Sequence, residues 1–144
     1  MKTMKTVALA ATLVLTLLAS RAVFAADKPS DEDQVKVTVG KIKEALEKKD
    51  INLLMATFSE SYKDPRVGGK AEAKALLEQG LKSGYADNGK VKIDALKVKF
   101  SEDKKTAKAY PLDLSSSMGS ISVELVLGKE KDAWLVTQVN PDGV

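Results

Sequence analysis

Residues 90–100 read Lys90-Val91-Lys92-Ile93-Asp94-Ala95-Leu96-Lys97-Val98-Lys99-Phe100, and here the hydrophobic period of the chain changes. Val91, Ile93 and Ala95 alternate with polar neighbours at a period of two, the pattern of a half-buried strand. The apolar parity then slips by one, to Leu96, Val98 and Phe100. One extra residue near Ala95-Leu96 would return both sets to one face, so the stretch predicts one strand bent by a β-bulge. Three more strands are predicted after it. Residues 101–105 form a hairpin turn, and residues 106–114 a second strand with Pro111 inside it. Proline cannot donate to a ladder, so Pro111 requires an edge position or another bulge. Residues 115–119 turn the chain into a third strand with Ile121, Val123, Leu125 and Leu127 in alternation. Residues 128–132 turn it again into a fourth, residues 133–139, which Asn140-Pro141 ends.

Upstream of residue 90 the period is helical. Ser30 is placed to cap a helix whose first turn carries Asp31, Glu32 and Asp33, acids that suit the positive end of the helix dipole. Val35, Val39, Ile42 and Leu46 follow on one face, and Lys48-Lys49 closes the helix. Asp50 caps a shorter second helix with Ile51, Leu54, Met55 and Phe58 on one face. Residues 59–64 read as a short extended segment, and Pro65 with Gly68-Gly69 as a loop. A third helix spans residues 70–82, with Ala73, Leu76, Leu77 and Leu81 apolar. Gly80 lies on that same face, either for close packing or to end the helix early. Helices followed by hairpin-linked strands define an α+β domain. The expected architecture is three N-terminal helices packed on a curved four-stranded antiparallel meander, with a cavity between the two layers.

Composition narrows the chemistry. The 144 residues include no Cys and no His. That excludes disulfides, thiolate nucleophiles, Cys- or His-held metals and triads that need imidazole. Residues 1–25 follow the pattern of a secretory signal peptide: Lys2 and Lys5, an uncharged stretch over residues 7–18, then Val23-Phe24-Ala25 before the expected cleavage at Ala25-Ala26. Ser20-Arg21 interrupts the apolar run too early for a membrane span. Residues 26–29 read as a linker and residues 30–144 as the domain. Removing Lys2, Lys5 and Arg21 takes the net charge from +3 to zero. The basic excess thus belongs to the signal and gives no argument for nucleic acid. Lys92, Lys97, Lys99 and Lys108 alternate with apolar residues, as on a solvated sheet face. The acids at Asp31–Asp33 lack the ligand spacing of a calcium loop, and no Lys-Ser/Thr pair follows Gly68-Gly69 as in a phosphate loop. The expectation is an exported protein, periplasmic or secreted, without cofactor or metal and without membrane attachment after cleavage.

The order of elements resembles the nuclear transport factor 2-like, or cystatin-like, fold. The local matches are Lys49-Asp50-Ile51 between the first two helices, Tyr62-Lys63-Asp64-Pro65 with Gly68-Gly69 before the third, and Asp132-Ala133-Trp134-Leu135-Val136 in the last strand. This group includes ketosteroid isomerase, SnoaL-like cyclases and scytalone dehydratase, alongside binding and assembly modules. The resemblance to ketosteroid isomerase implies a general base at Asp64 and an oxyanion-stabilising acid near Glu124. The tyrosine expected on the first helix falls near Ile42, which cannot donate a hydrogen bond, so that constellation is incomplete.

The residues themselves leave alternatives at each position. Asp64 is either a base in a partly apolar pocket, its pKa raised by burial, or an Asp-Pro turn residue that accepts backbone N–H groups. Glu124 shares its strand face with Ser122 and Val126, opposite the apolar row, which turns it to solvent. Tyr62, Tyr85, Tyr110 and Trp134 are candidates for lining a ligand cavity or for core and rim packing. The leading expectation is an exported, non-catalytic domain that holds a small, mostly apolar molecule or a partner protein between helices and sheet. One alternative is a proton-transfer enzyme (isomerase, dehydratase or cyclase type) with Asp64 as base. Another is an assembly module that forms a homodimer through the outer sheet face around Ser122 and Val126.

Overall fold

The computed structural model describes residues 28–142. The expected signal peptide, the cleavage point and the first half of the linker, residues 26–27, lie outside them. Helix α1 (Asp31–Lys48) begins where Ser30 Oγ accepts from the Asp33 N–H at 3.1 Å. Val35, Val39 and Ile42 turn inward, whereas Glu32–Lys36, Lys43–Glu47 and Glu44–Lys48 pair along the helix at i,i+4. Lys49 ends α1 with a left-handed backbone, φ 54°. Asp50 then caps α2 (Ile51–Met55), accepting from the Leu53 N–H at 3.0 Å. Replacing Ser30 by Ala leaves the Asp33 N–H without its cap. The expected loss is about 1 kcal/mol, read as a lower urea midpoint at unchanged slope.

The segment after α2 differs from the sequence reading. Lys63–Asp64 (β1) and Gly68–Gly69 (β2) pair as a small antiparallel hairpin, so the two glycines form a strand rather than loop. Gly69 also opens α3 (Lys70–Lys82), where the Glu72 carboxylate reaches back to its N–H at 3.0 Å. Gly80 does not end α3. An added Cβ there would meet the Tyr85 ring at 4.0 Å, ordinary contact. Gly80→Ala is therefore expected to stabilise the protein by about 0.5–1 kcal/mol, the helix-interior cost of glycine, visible as a higher melting temperature.

The main sheet has five strands rather than four. The stretch over 90–100 divides into β3 (Lys90–Lys92) and β4 (Lys97–Phe100), both antiparallel to β5 (Thr106–Ser116). Lys92 pairs with Asp113 and Lys97 with Tyr110, so four residues of the first strand stand opposite Pro111 and Leu112. A single bulge cannot absorb that excess. The chain turns out instead, with the Leu96 N–H on the Ile93 carbonyl at 3.0 Å. The parity slip in the sequence is real, but its cause is a broken strand.

Pro111 lies in a strand paired on both sides, beside the register shift between Ala109 and Leu112 against β6 (Gly119–Glu130). Its missing N–H is accommodated by that irregularity, one of the two solutions the sequence allowed. A second shift, between Val126 and Leu127, leaves Thr137 of β7 (Ala133–Pro141) as the extra residue. Each shift keeps its strand's apolar side chains on one face. Ala107 and Ala109 continue as Leu112, and Trp134 and Val136 continue as Val139. The core lies between this face and α1, α2 and the segment after α2.

Both edges near the helices are covered. Val91 at the β3 edge gives its N–H to Glu47 at 3.2 Å and receives Lys43 Nζ on its carbonyl at 2.8 Å. On β7 the Val136 N–H reaches the Thr57 carbonyl at 2.8 Å, and the Ser59 N–H reaches the Val136 carbonyl at 2.8 Å. Covered edges resist pairing with another chain's strand.

Candidate functional site

Asp64 is 2 % exposed, and its carboxylate is occupied. Oδ1 accepts the Arg66 N–H at 2.8 Å and Arg66 Nε at 3.1 Å, and Oδ2 accepts Arg66 Nη2 at 3.0 Å. The same guanidinium donates to the Val139 carbonyl at 2.5 Å, tying the β1–β2 hairpin to β7. The hydrogen bonds from the Arg66 side chain hold Asp64 below the ordinary carboxylate range, despite its burial. A raised pKa was the expectation for a base in an apolar pocket. The nearby arginine reverses it, because an adjacent cation favours the charged form.

The other candidates separate. Trp134 is 1 % exposed, edge-on to Phe100 with centroids 5.5 Å apart, and its indole N–H donates to Asp31 Oδ1 at 3.2 Å. Tyr62 is buried against Phe58 at 5.0 Å, and burial raises its phenol pKa. Both are packing residues. Tyr110 stands outside and donates its hydroxyl to Asp142 at 2.5 Å. Glu124 also faces outward, as its strand parity required, with Asn140 Nδ2 at 3.2 Å and Lys108 Nζ at 3.7 Å. The Glu124 side chain is 29 % exposed. Asp64 is engaged by Arg66 and Glu124 is turned to the outer face, so the two form no acid–base pair.

Tyr85 is the one candidate that reaches a large cavity. Between α3 and the far end of the sheet lies a cleft of about 460 Å³, within the range of small-molecule sites. Leu76, Leu77 and Leu81 of α3 form one wall, joined by Leu46 near the end of α1. Val91, Leu114 and Ile121 form the opposite wall on the sheet. Tyr85, from the loop after α3, and Met118, at the β5–β6 turn, stand at its mouth.

Local sequence explains this opening. Helix α3 has 13 residues and an apolar stripe, yet only Ala73 is fully buried. The rest of the stripe faces the cleft. Leu76, Tyr85, Met118 and Ile121 are large apolar side chains that remain 43 to 63 % exposed, and all four line this one site. Isolated exposed apolar residues are ordinary, but a convergent group marks a binding surface.

The loop that closes the cleft depends on two glycines. Gly84 has φ +86°, a left-handed turn after the helix, and an added Cβ at Gly89 would lie 2.7 Å from the Ala86 carbonyl. Among the described residues the lining contains no carboxylate, and Lys90 and Tyr85 are its only titratable side chains. Polar groups come mainly from Ser115, Ser116 and Ser120. The cleft can therefore enclose apolar surface. The periodicity marked Leu76, Leu77 and Leu81 as apolar positions of the third helix, without distinguishing core from cleft. The signal that would have separated core from cleft is the serine-rich turn at 115–120, which offers a single large apolar residue, Met118, opposite them.

No protein-family model matches the sequence, and no curated protein matches it. Solved structures do match. A protein of unknown function with a cystatin-like fold from Nostoc punctiforme superposes with a TM-score of 0.62 at 17 % identity, covering 78 % of this chain and 92 % of that one. An uncharacterized protein with a cystatin-like fold from Caulobacter vibrioides gives 0.63 at 11 %, covering 76 % and 87 %. A candidate dehydratase of the nuclear transport factor 2-like family from Streptomyces avermitilis gives 0.60 at 12 %, covering 78 % and 95 %. At these identities the likeness concerns the fold, and the chain has the α+β fold of nuclear transport factor 2-like and cystatin-like proteins, with a curved antiparallel sheet.

Proposed function

We propose that this protein is an exported, non-catalytic binding domain that holds a small apolar ligand in the cleft between α3 and the β5–β6 turn. Export rests on the signal pattern of residues 1–25. The binding role rests on one observation above all: the cleft gathers exposed Leu76, Tyr85, Met118 and Ile121 around a lining without a carboxylate or histidine. Burying that surface against a ligand stabilises the complex by about 25 cal/mol per Å² of apolar area removed from water, before the cost of association. The proton-transfer alternative is less favoured, because Asp64 is neutralised by Arg66 and is not among the cleft-lining residues.

The test uses N-phenyl-1-naphthylamine, a neutral dye whose fluorescence rises in apolar surroundings. Residues 26–144 are expected to bind it saturably. Gly80→Phe adds a ring to the cleft lining at a helix position where a Cβ meets only the exposed Tyr85 ring, at 4.0 Å, so it is expected to abolish binding without lowering the melting temperature. Equal dye binding by the wild type and a folded Gly80→Phe variant would rule the cleft out.

A further inference from the structure

We infer that Met118 is a modification site through which peroxides act on the cleft: conversion of its thioether to a sulfoxide at the mouth weakens the hold on an apolar ligand. This rests on the binding role proposed above and adds a means of regulating it.

The sulfur content of the chain singles out this residue. There are four Met and no Cys, so thioethers are the only sulfur groups. Met1 and Met4 fall in the expected signal peptide, which leaves Met55 and Met118. Met55 closes α2 and is 7 % exposed in the core, whereas Met118 is 62 % exposed. An oxidant in solution therefore reaches one thioether and is kept from the other.

The turn itself makes no use of this side chain. Met118 contributes to it through the backbone, its N–H donating to Ser116 Oγ at 3.1 Å. Ser117 ties the turn to the loop that carries Tyr85. Its N–H donates to the Asp87 carbonyl at 3.0 Å, and its Oγ accepts from Asn88 Nδ2 at 3.0 Å. The backbone around the mouth is thus held in place, while the Met118 side chain is left to the cleft and to water.

The step needs only a peroxide as co-reactant. The sulfur lone pair attacks one peroxide oxygen, an S–O bond forms and the O–O bond breaks. Sulfur loses two electrons, and hydrogen peroxide, which gains them, departs as water. The product is polar where the thioether was apolar. A ligand that covers it must strip water from the new oxygen, which a lining of leucines does not compensate.

Treatment of residues 26–144 with hydrogen peroxide tests this, with N-phenyl-1-naphthylamine as the probe. The tryptic peptide 109–129 is expected to gain one oxygen while Met55 stays unmodified. The dye dissociation constant should rise about three- to tenfold, part of the worth of one apolar side chain, and methionine sulfoxide reductase should restore it. Met118→Leu carries no sulfur at the mouth, so its own dye affinity should be the same before and after peroxide. Undiminished affinity of the oxidised wild type, equally fast oxidation of Met55 in the folded protein, or an equal loss in treated Met118→Leu would each overturn the assignment and leave the cleft a binding site. If the untreated protein binds no dye, the cleft reading itself fails and the role of Met118 falls with it.

Discussion

Trp134→Ala is expected to lower stability by about 3–5 kcal/mol, the range for truncating a buried aromatic. The indole is 1 % exposed and meets Phe100 edge-on, so the truncation opens a cavity under the last strand. It also removes the donor to Asp31 in the first turn of α1. Asp31 additionally binds Lys129 at 2.8 Å, and these two hydrogen bonds hold its carboxyl below the usual range. One side chain thus connects the start of the first helix with the β6–β7 hairpin. Trp134→Phe separates the contributions, because it keeps most of the packing and loses the N–H. A melting temperature more than about 10 °C lower for Trp134→Ala, with a much smaller fall for Trp134→Phe, is the expected pair of results. A fall of less than about 1 kcal/mol for alanine would show that the core does not rest on this ring.

The second large effect concerns Asp64. Asp64→Ala removes three hydrogen bonds from Arg66 and frees the guanidinium that holds Val139. Hydrogen bonds to charged groups contribute about 1.5–3 kcal/mol, and the loss should fall within that range because the partly exposed Arg66 can turn to water. Asp64→Asn should cost less, since its oxygen still accepts the Arg66 N–H. The pH dependence follows from the depressed pKa. The carboxylate's contribution is complete above its unfolded pKa, near 3.9, and is lost as pH falls through the lower folded value. Urea midpoints of wild type and Asp64→Asn should therefore differ at pH 7 and draw together as pH falls from about 5 through the depressed folded value. A constant gap across that window would assign the effect to packing, and a gap that opened on acidification would indicate the raised pKa of a poised base.

Both predictions show why the candidate site was only partly legible in the sequence. Asp64 was marked as unusual by its Pro65 neighbour, and the turn alternative already allowed it to accept a backbone N–H. Arg66, two residues on, decided the matter. Whether its guanidinium folds back onto Asp64 depends on Val139, which is 73 residues away. Trp134 and Tyr85 are both aromatic residues near turns, and local pattern does not distinguish them. One is sealed under Phe100 while the other is 63 % exposed at the cleft.

The periodic parts of the fold could be read locally because helix and strand periods, caps and turn residues act over a few positions. Ser30, Asp50 and the apolar spacing of α1, α2 and α3 sufficed for the three helices. The alternation after residue 90 sufficed for an antiparallel meander, and the parity slip at Ala95-Leu96 and the proline at 111 located two of its irregularities, whereas the one at Thr137 had no sequence signal. How each slip is resolved was a tertiary matter. A slip in the inner strand β5 becomes a bulge against β6 at Pro111, and the slip after Ala95 becomes a break at Ile93–Leu96, where the edge chain turns out of the sheet. Likewise, the leucine stripe of α3 required apolar surroundings by its pattern alone. Only the assembled fold left those surroundings open, because the β5–β6 turn is mostly serine and its one large side chain, Met118, stays exposed instead of filling the space.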